Sequence, residues 1–437
     1  MSAASSEGIG TRVRTEVWAR WTSEAGAARG ALALIGLHVA DDRFFQPEPG
    51  RAATDHLVSG FVPLALIVAA AVWYPSLRPG RRALVALLAG YFGVLAGTEA
   101  VYYAANGGAS GDDFTGFLSL AAGLLLLGLG CATLWRSRQR GGSRAWRYGR
   151  RVLLAVGAVL AAGIVLLPTS VAYVVTHSAR AEVPRPELGT EFEDVQFRTA
   201  DGLLLHGWYI PSKNGAAVIA FPGRSGPQNQ ARMLARHGYG VLLFDRRGEG
   251  ESEGDPNGFG WGGEQDLDAA ASYLRSRPDV DPNRVGVIGL SVGGEMAIHA
   301  AAHSDAFAAV VSEGASGQSL RDELANPGLG DRLLDLPAQV SLIAALTVFT
   351  DELAPPSLKS EVATIAPTPV FFVYGEHGQG GSETKPNKGF YEAAGEPKEI
   401  WEVPNGQHIA GITTEPQEYE RRVIGFFDGA LLARDEP

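Results

Sequence analysis

A single cysteine in 437 residues, Cys131, excludes any intramolecular disulfide, so cysteine usage carries no signal of redox compartment. Lysine is missing from the first 180 residues, and long stretches there lack charge almost completely. Four of them, about 57–74, 83–105, 117–135 and 152–176, contain no Lys, Arg or Asp, and Glu99 is their one ionisable carboxylate. Each approaches the roughly 20 residues a helix needs to cross a bilayer. Residues 1–29 are polar, which speaks against a cleaved signal peptide at this end. Basic residues are scarce in the rear. Residues 1–180 hold 17 Arg and 10 acidic residues (+7), residues 181–437 hold 20 basic and 38 acidic (−18), and the two sum to −11. The acidic rear has nothing to neutralise a phosphate backbone, so nucleic acid is excluded as a partner. No metal-ligand spacing and no P-loop lysine occur, and the glycine run Gly258–Gly263 does not open a helix as a phosphate-binding loop would. Neither a metal nor a cofactor is expected.

The front half reads as a membrane region and the rear as a soluble domain. Segments 57–180 form about four transmembrane helices rich in Gly, Ala and Leu, the composition of closely packed membrane helices. Trp73, Tyr74, Tyr102, Tyr103 and Trp135 sit near their ends as an aromatic belt would. The competing reading is a soluble helical bundle, but such helices would normally show a polar face. Arginines fall in two loops: Arg78, Arg81 and Arg82, then Arg136, Arg138, Arg140, Arg144, Arg147, Arg150 and Arg151. The loop between segments two and three has only Asp112 and Asp113. The positive-inside rule puts the arginine loops in the cytoplasm, so the expectation is a multi-pass plasma-membrane protein with its rear domain extracytoplasmic. Arg12, Arg14, Arg20 and Arg29 in the N-terminal segment 1–56 run against this topology. Ala31–Ala40 is apolar but too short to span alone; it reads as interfacial or re-entrant, or as part of a fifth crossing. Glu99 either faces another helix or an interface, or marks a function.

After a Pro-containing linker, 181–189, strands and helices alternate. Strands are expected at Glu193–Arg198, Leu203–Ile210, Ala216–Phe221, Val241–Asp245, Val285–Leu290, Ala308–Ser312, Val370–Tyr374 and Glu399–Val403, with helices between most of them. This pattern predicts an α/β domain with a mostly parallel, eight-stranded sheet covered on both faces. Gly289-Leu290-Ser291-Val292-Gly293 is a G-x-S-x-G between a strand and a helix. At so sharp a turn a Cβ beside the serine would collide, which explains the glycines and lifts the hydroxyl above the sheet.

With these residues in hand, 190–435 resembles an α/β hydrolase, close to the serine aminopeptidase and carboxylesterase-like branch. Phe221-Pro222-Gly223-Arg224 stands where the family usually shows His-Gly-x. Asp245-Arg246-Arg247-Gly248-Glu249-Gly250-Glu251-Ser252 is similar to its D-x-R-G-x-G-x-S loop, and Asn405-Gly406-Gln407-His408 occupies the usual site of its histidine. The resemblance implies Ser291 as nucleophile, His408 as base, and an oxyanion hole from the backbone N–H groups of Val292 and Arg224. The acid is the departure. After Val370–Tyr374 the chain runs Gly375-Glu376-His377-Gly378-Gln379-Gly380-Gly381, without Asp. Glu376 is the nearest carboxylate, Glu383 a second choice, and Glu313 stands at the alternative position some relatives use.

Between Gly314 and Pro367 an insertion caps the site. Its apolar stretch Leu336–Thr350 is either a cap helix packed on the core or an acyl-binding, membrane-facing lid. Three functions stay open: cleavage of a carboxylic ester, small or lipid-like; a peptidase or amidase using the same triad; and a membrane sensor or scaffold built on a degenerate hydrolase domain.

Overall fold

The computed structural model describes residues 23–106, 108–109, 111–137, 143–180, 183–324 and 335–432. Arg12, Arg14, Arg20, Arg138 and Arg140 lie outside the described residues, as does part of the capping insertion, 325–334. The chain divides into two compact units, Met1–Glu48 with Ala52–Ala179, and Pro49–Arg51 with Arg180–Pro437.

The first unit is helical. Four of its helices, Ala53–Ser76, Pro79–Asn106, Asp113–Arg136 and Ala145–Thr176, are long and apolar enough to cross a membrane. Small residues set the close approaches. A Cβ on Gly123 would lie 2.6 Å from Val94 N, and one on Gly90 would lie 2.8 Å from Gly123 O, so these two helices meet backbone to backbone. The apolar stretch Ala31–Ala40 belongs to a longer helix, Glu24–Ala40, whose Ala28, Leu32 and Ile35 are fully buried. Ser23 caps it by accepting from Gly26 N, and Glu24 accepts from the Thr133 hydroxyl at 3.0 Å. Glu99 begins the helical segment Thr98–Asn106 and is half-buried.

The second unit is an α/β domain. Its strands are β1 (Glu193–Arg198), β2 (Leu204–Ile210), β3 (Ala217–Phe221), β4 (Gly240–Phe244), β5 (Val285–Leu290), β6 (Ala309–Glu313), β7 (Val370–Gly375) and β8 (Lys398–Val403). They form one sheet in the order β1-β2-β4-β3-β5-β6-β7-β8. β1 and β2 are antiparallel to their neighbours, and from β4 to β8 the pairings are parallel. The central strands β3 to β6 are buried along their whole length, which is why they read as continuous apolar runs. Alternate residues feed two cores. Ile219, Phe221, Leu242, Phe244 and Val287 pack on one face; Val218, Ala220, Val241, Leu243 and Ile288 pack on the other.

The sequence pattern predicted all eight strands to within a residue or so at each end, and the expected helices are present as Gln228–Arg236, Glu264–Arg275, Val292–His303, Thr384–Ala393 and Pro416–Phe427. The loop after β4 is locked by charge. Arg247 donates from its backbone N–H (3.0 Å), Nε (2.9 Å) and Nη2 (2.7 Å) to the fully buried Asp266. Removing one partner of a buried pair strands the other charge. Asp266→Ala is expected to destabilise the α/β domain by about 3–5 kcal/mol, seen as a lower midpoint in the denaturation of the purified chain followed by tryptophan fluorescence. An unchanged midpoint would show that Asp201, 3.1 Å from Arg247 Nη1, suffices alone.

Candidate active site

Ser291 lies between β5 and helix Val292–His303 with φ 55°, a left-handed conformation costly for a non-glycine residue. Tight surroundings impose it. A Cβ on Gly289 would lie 2.1 Å from Gly293 O, and one on Gly293 would lie 2.6 Å from Pro222 Cδ. The collision expected from the sequence is therefore real, and the serine is presented at the carboxyl end of the sheet. Its own N–H donates to Glu313 O at 2.7 Å, which ties the bend to the end of β6.

His408 arrives on the loop after β8. Its Nε2 is 2.8 Å from Ser291 Oγ, and its Nδ1 is hydrogen-bonded to Glu383 Oε1. A carboxylate only accepts, so Nδ1 carries the proton and Nε2 is left bare to accept from the serine hydroxyl. This is the tautomer a general base needs. The Glu383 bond raises the imidazole pKa above its ordinary value; burial acts the other way, and the charges of Glu383, Glu313 and Glu295 add to the rise.

The acid on the histidine is thus Glu383. Glu376, the first choice from the sequence, does not reach the ring: its Oε2 accepts from Asn405 N–H at 2.9 Å. Glu313 does not reach it either. Its carboxylate is buried and accepts from Gly411 N–H (2.9 Å) and the Tyr419 hydroxyl (2.6 Å). The loop after β7 explains the difference. Gln379, Gly380 and Gly381 all have positive φ, so the chain doubles back and Glu383 returns beneath the histidine. There it also accepts from Gly375 N–H at 3.2 Å and stands just before helix Thr384–Ala393, where negative charge is favoured. The glycine-rich run between Glu376 and Glu383 was the available signal.

The oxyanion expectation is corrected in one half. Arg224 N–H is already spent on Asp245 Oδ1 at 2.9 Å, deep in the protein. The same carboxylate takes Arg224 Nε at 2.7 Å, while Nη2 reaches Glu251 at 2.9 Å and the guanidinium covers the Trp208 ring at 4.8 Å. The D-x-R-G-x-G-x-S resemblance therefore marks a structural clamp: Asp245 holds Arg224, and Ser252 donates to Asp245 O at 2.7 Å. Val292 N–H is among the first amides of its helix, which have no intrahelical acceptor.

The sequence reading missed Glu295. Buried on the nucleophile helix, it accepts from Ser316 N–H (3.1 Å), Gly317 N–H (3.2 Å) and Gln318 Nε2 (2.7 Å), fastening the start of the cap. His299 and His303 pair with Glu361 and make no contact with the serine. Among the described residues no group of three His, Cys, Asp or Glu side chains could hold a metal.

Residues 171–335 match the profile described as X-Pro dipeptidyl-peptidase (S15 family). The uncharacterized protein YfhR of Salmonella typhi is 27% identical over 266 residues, covering 56% of this chain and 84% of that protein. A thiohydrolase, aneE, of Aspergillus aculeatus is 34% identical over 136 residues, 28% of this chain and 41% of its own length. The Penicillium polyketide transferase grgF is 33% identical over 158 residues, 33% of this chain and half of its own length. The esterase Pf2001 of Pyrococcus furiosus superposes with a TM-score of 0.46 at 21% identity, covering 58% of this chain and 99% of that one. The second unit has the α/β-hydrolase fold.

Within this α/β domain Glu383 and Glu376 have separable effects. Glu383→Gln is expected to lower kcat by on the order of a thousandfold or more, because the amide permits the wrong tautomer. Base catalysis needs neutral His408, so kcat/KM rises with pH through the histidine pKa; loss of the Glu383 charge moves that limb to lower pH. Glu376→Gln keeps an acceptor for Asn405 N–H and should cost less than about tenfold. Steady-state kinetics on an activated ester across pH checks both, and the reverse ranking would return the acid role to Glu376.

Proposed function

We propose that the chain is a membrane-anchored serine hydrolase that cleaves a carboxylic ester through an acyl-enzyme, with Ser291 as nucleophile, His408 as general base and acid, and Glu383 as the orienting carboxylate. One observation carries this reading: the unbroken line from Ser291 Oγ through His408 Nε2 and Nδ1 to Glu383. In the first half-reaction Ser291 Oγ attacks the acyl carbon while its proton passes to His408 Nε2. The tetrahedral oxyanion receives the Val292 N–H, and the imidazolium, held by Glu383, gives its proton to the departing alkoxide. Water then repeats the sequence on the acyl-enzyme and releases the acid.

The names of two relatives, a thiohydrolase and a polyketide transferase, favour transfer of acyl groups from oxygen or sulfur. The second reading, a peptidase or amidase with the same triad, draws on the S15 family profile. The scaffold reading is opposed by an assembled Ser-His-Glu line, since a degenerate domain has no reason to keep the base-competent tautomer. The four apolar helices support the anchor in this reading, and the arginines at 78–82 and 136–151 support an extracytoplasmic hydrolase domain.

Intact cells expressing the full chain, treated with a membrane-impermeant fluorophosphonate, should show a labelled band that Ser291→Ala abolishes. Labelling only after lysis would reverse the sidedness, and none at all would favour the scaffold. Purified protein should then turn over p-nitrophenyl esters faster than aminoacyl-anilides; the opposite preference would install the peptidase reading.

A further inference from the structure

Glu313 does not hold the place of the triad acid, yet it touches both halves of the site. It ends β6, beside the nucleophile strand β5, with Leu290 and Glu313 in register. Its carbonyl accepts from Ser291 N–H at 2.7 Å and so holds the strained nucleophile. Its side chain turns the other way. Oε1 accepts from Gly411 N–H at 2.9 Å, three residues beyond His408, and Oε2 accepts from the Tyr419 hydroxyl at 2.6 Å. Gly411 opens the short helix Gly411–Thr414, and a Cβ there would lie 2.9 Å from Glu313 Oε1, so the carboxylate is seated tightly against this backbone.

The histidine loop needs such an anchor. Asn405 and Ile409 both have positive φ, at 55° and 50°, although neither is glycine. Conformations of this kind persist only where surrounding contacts over-determine them. Glu376 grips the loop at Asn405 and Glu313 grips it at Gly411, so the histidine is held from both sides. Burial pushes the Glu313 carboxyl pKa above its ordinary value, while its two hydrogen-bond donors pull the other way. Two donors on separate oxygens favour the carboxylate form, and its charge acts on the imidazole in the same direction as that of Glu383.

On the basis of the catalytic reading above, we infer that Glu313 is a positioning residue for the hydrolytic reaction: one side chain and its own carbonyl fix the nucleophile and the base relative to each other, and its charge favours the imidazolium formed during acyl transfer. It touches neither substrate nor the transferred proton. Its effect should therefore fall on kcat and on the pH profile, leaving KM nearly unchanged. The ionisable groups acting on His408 are Glu383, Glu313 and Glu295, and those around Glu313 are Tyr419, Glu383 and His408.

The test compares Glu313→Gln with Tyr419→Phe in the full-length, detergent-solubilised chain, with rates expressed per active site titrated by a fluorophosphonate. Glu313→Gln removes the charge and leaves one donor facing an amide that cannot accept from both. The expected result is a fall in kcat of about 10- to 100-fold, the scale of a small misplacement of reacting groups, with KM within a factor of about two and the acidic limb of kcat/KM moved to lower pH. Tyr419→Phe deletes one donor but keeps the carboxyl group and the Gly411 anchor, so the limb should move less than in Glu313→Gln even if stability falls. Wild-type kcat and an unmoved limb in Glu313→Gln would overturn the proposal, as would the same limb shift in Tyr419→Phe. If Glu313→Gln does not fold, Glu313→Asp takes its place: the shorter side chain cannot hold both Gly411 and Tyr419, so a fall in kcat with KM unchanged supports the proposal and wild-type kcat overturns it. Failure of the wild-type protein itself to label would defeat the underlying catalytic reading, and this proposal with it.

Discussion

The chemistry proposed for the α/β domain depends on one buried carboxylate meeting the Nδ1–H of His408. Glu383 is almost wholly excluded from water, and a buried charge without a partner is expensive. Here its oxygens are divided between the imidazole and Gly375 N–H. That division decides the tautomer, and the tautomer decides whether Ser291 faces an acceptor or another donor. The histidine loop, with left-handed backbone at Asn405 and Ile409, is bent to fit this meeting. The loop before Glu383 is bent as well, through Gln379, Gly380 and Gly381. Strain on both sides of a single hydrogen bond is what one expects where geometry is held for function rather than for stability.

Much of this was legible in the sequence, and the parts that were not share a physical cause. The nucleophile could be read because its signal is local and steric: glycines at 289 and 293 are required by atoms that lie within a few residues or directly beside them. The strands could be read because β3 to β6 are buried on both faces and carry unbroken apolar runs. His408 followed from chain order. The acid did not, because its identity depends on the path of a seven-residue loop, and spacing from the strand end points to Glu376 while the fold brings round Glu383. The Arg224 amide was misjudged for a similar reason: a sequence motif names the loop but not the acceptor, and Asp245 had already taken that N–H.

The helical unit shows the same limit from the other direction. Length and composition were enough to find its four long apolar helices. They could not say that Glu24–Ala40, too short to stand out, would bury Leu32 and Ile35 completely, because that depends on small residues making room across the bundle. In both units, sequence reports what a segment can do alone and loses what it does only in company.

The cap and the base can be considered together. Helix Leu336–Thr350 carries no charged residue, and of its fifteen residues only Ala345 and Leu346 are buried. The segment Gly260–Gly262 links it to the site: a Cβ on Gly260 would lie 3.0 Å from Val292 Cγ2, and one on Gly262 would lie 3.2 Å from Glu352, just beyond the cap helix. The carboxylates acting on His408 raise its pKa while its own burial pulls the other way. The opposition is useful. A base raised too far is protonated and idle at neutral pH, whereas one lowered too far takes the serine proton poorly. Burial and a set of nearby carboxylates therefore act as counterweights on one imidazole, with the net shift upward.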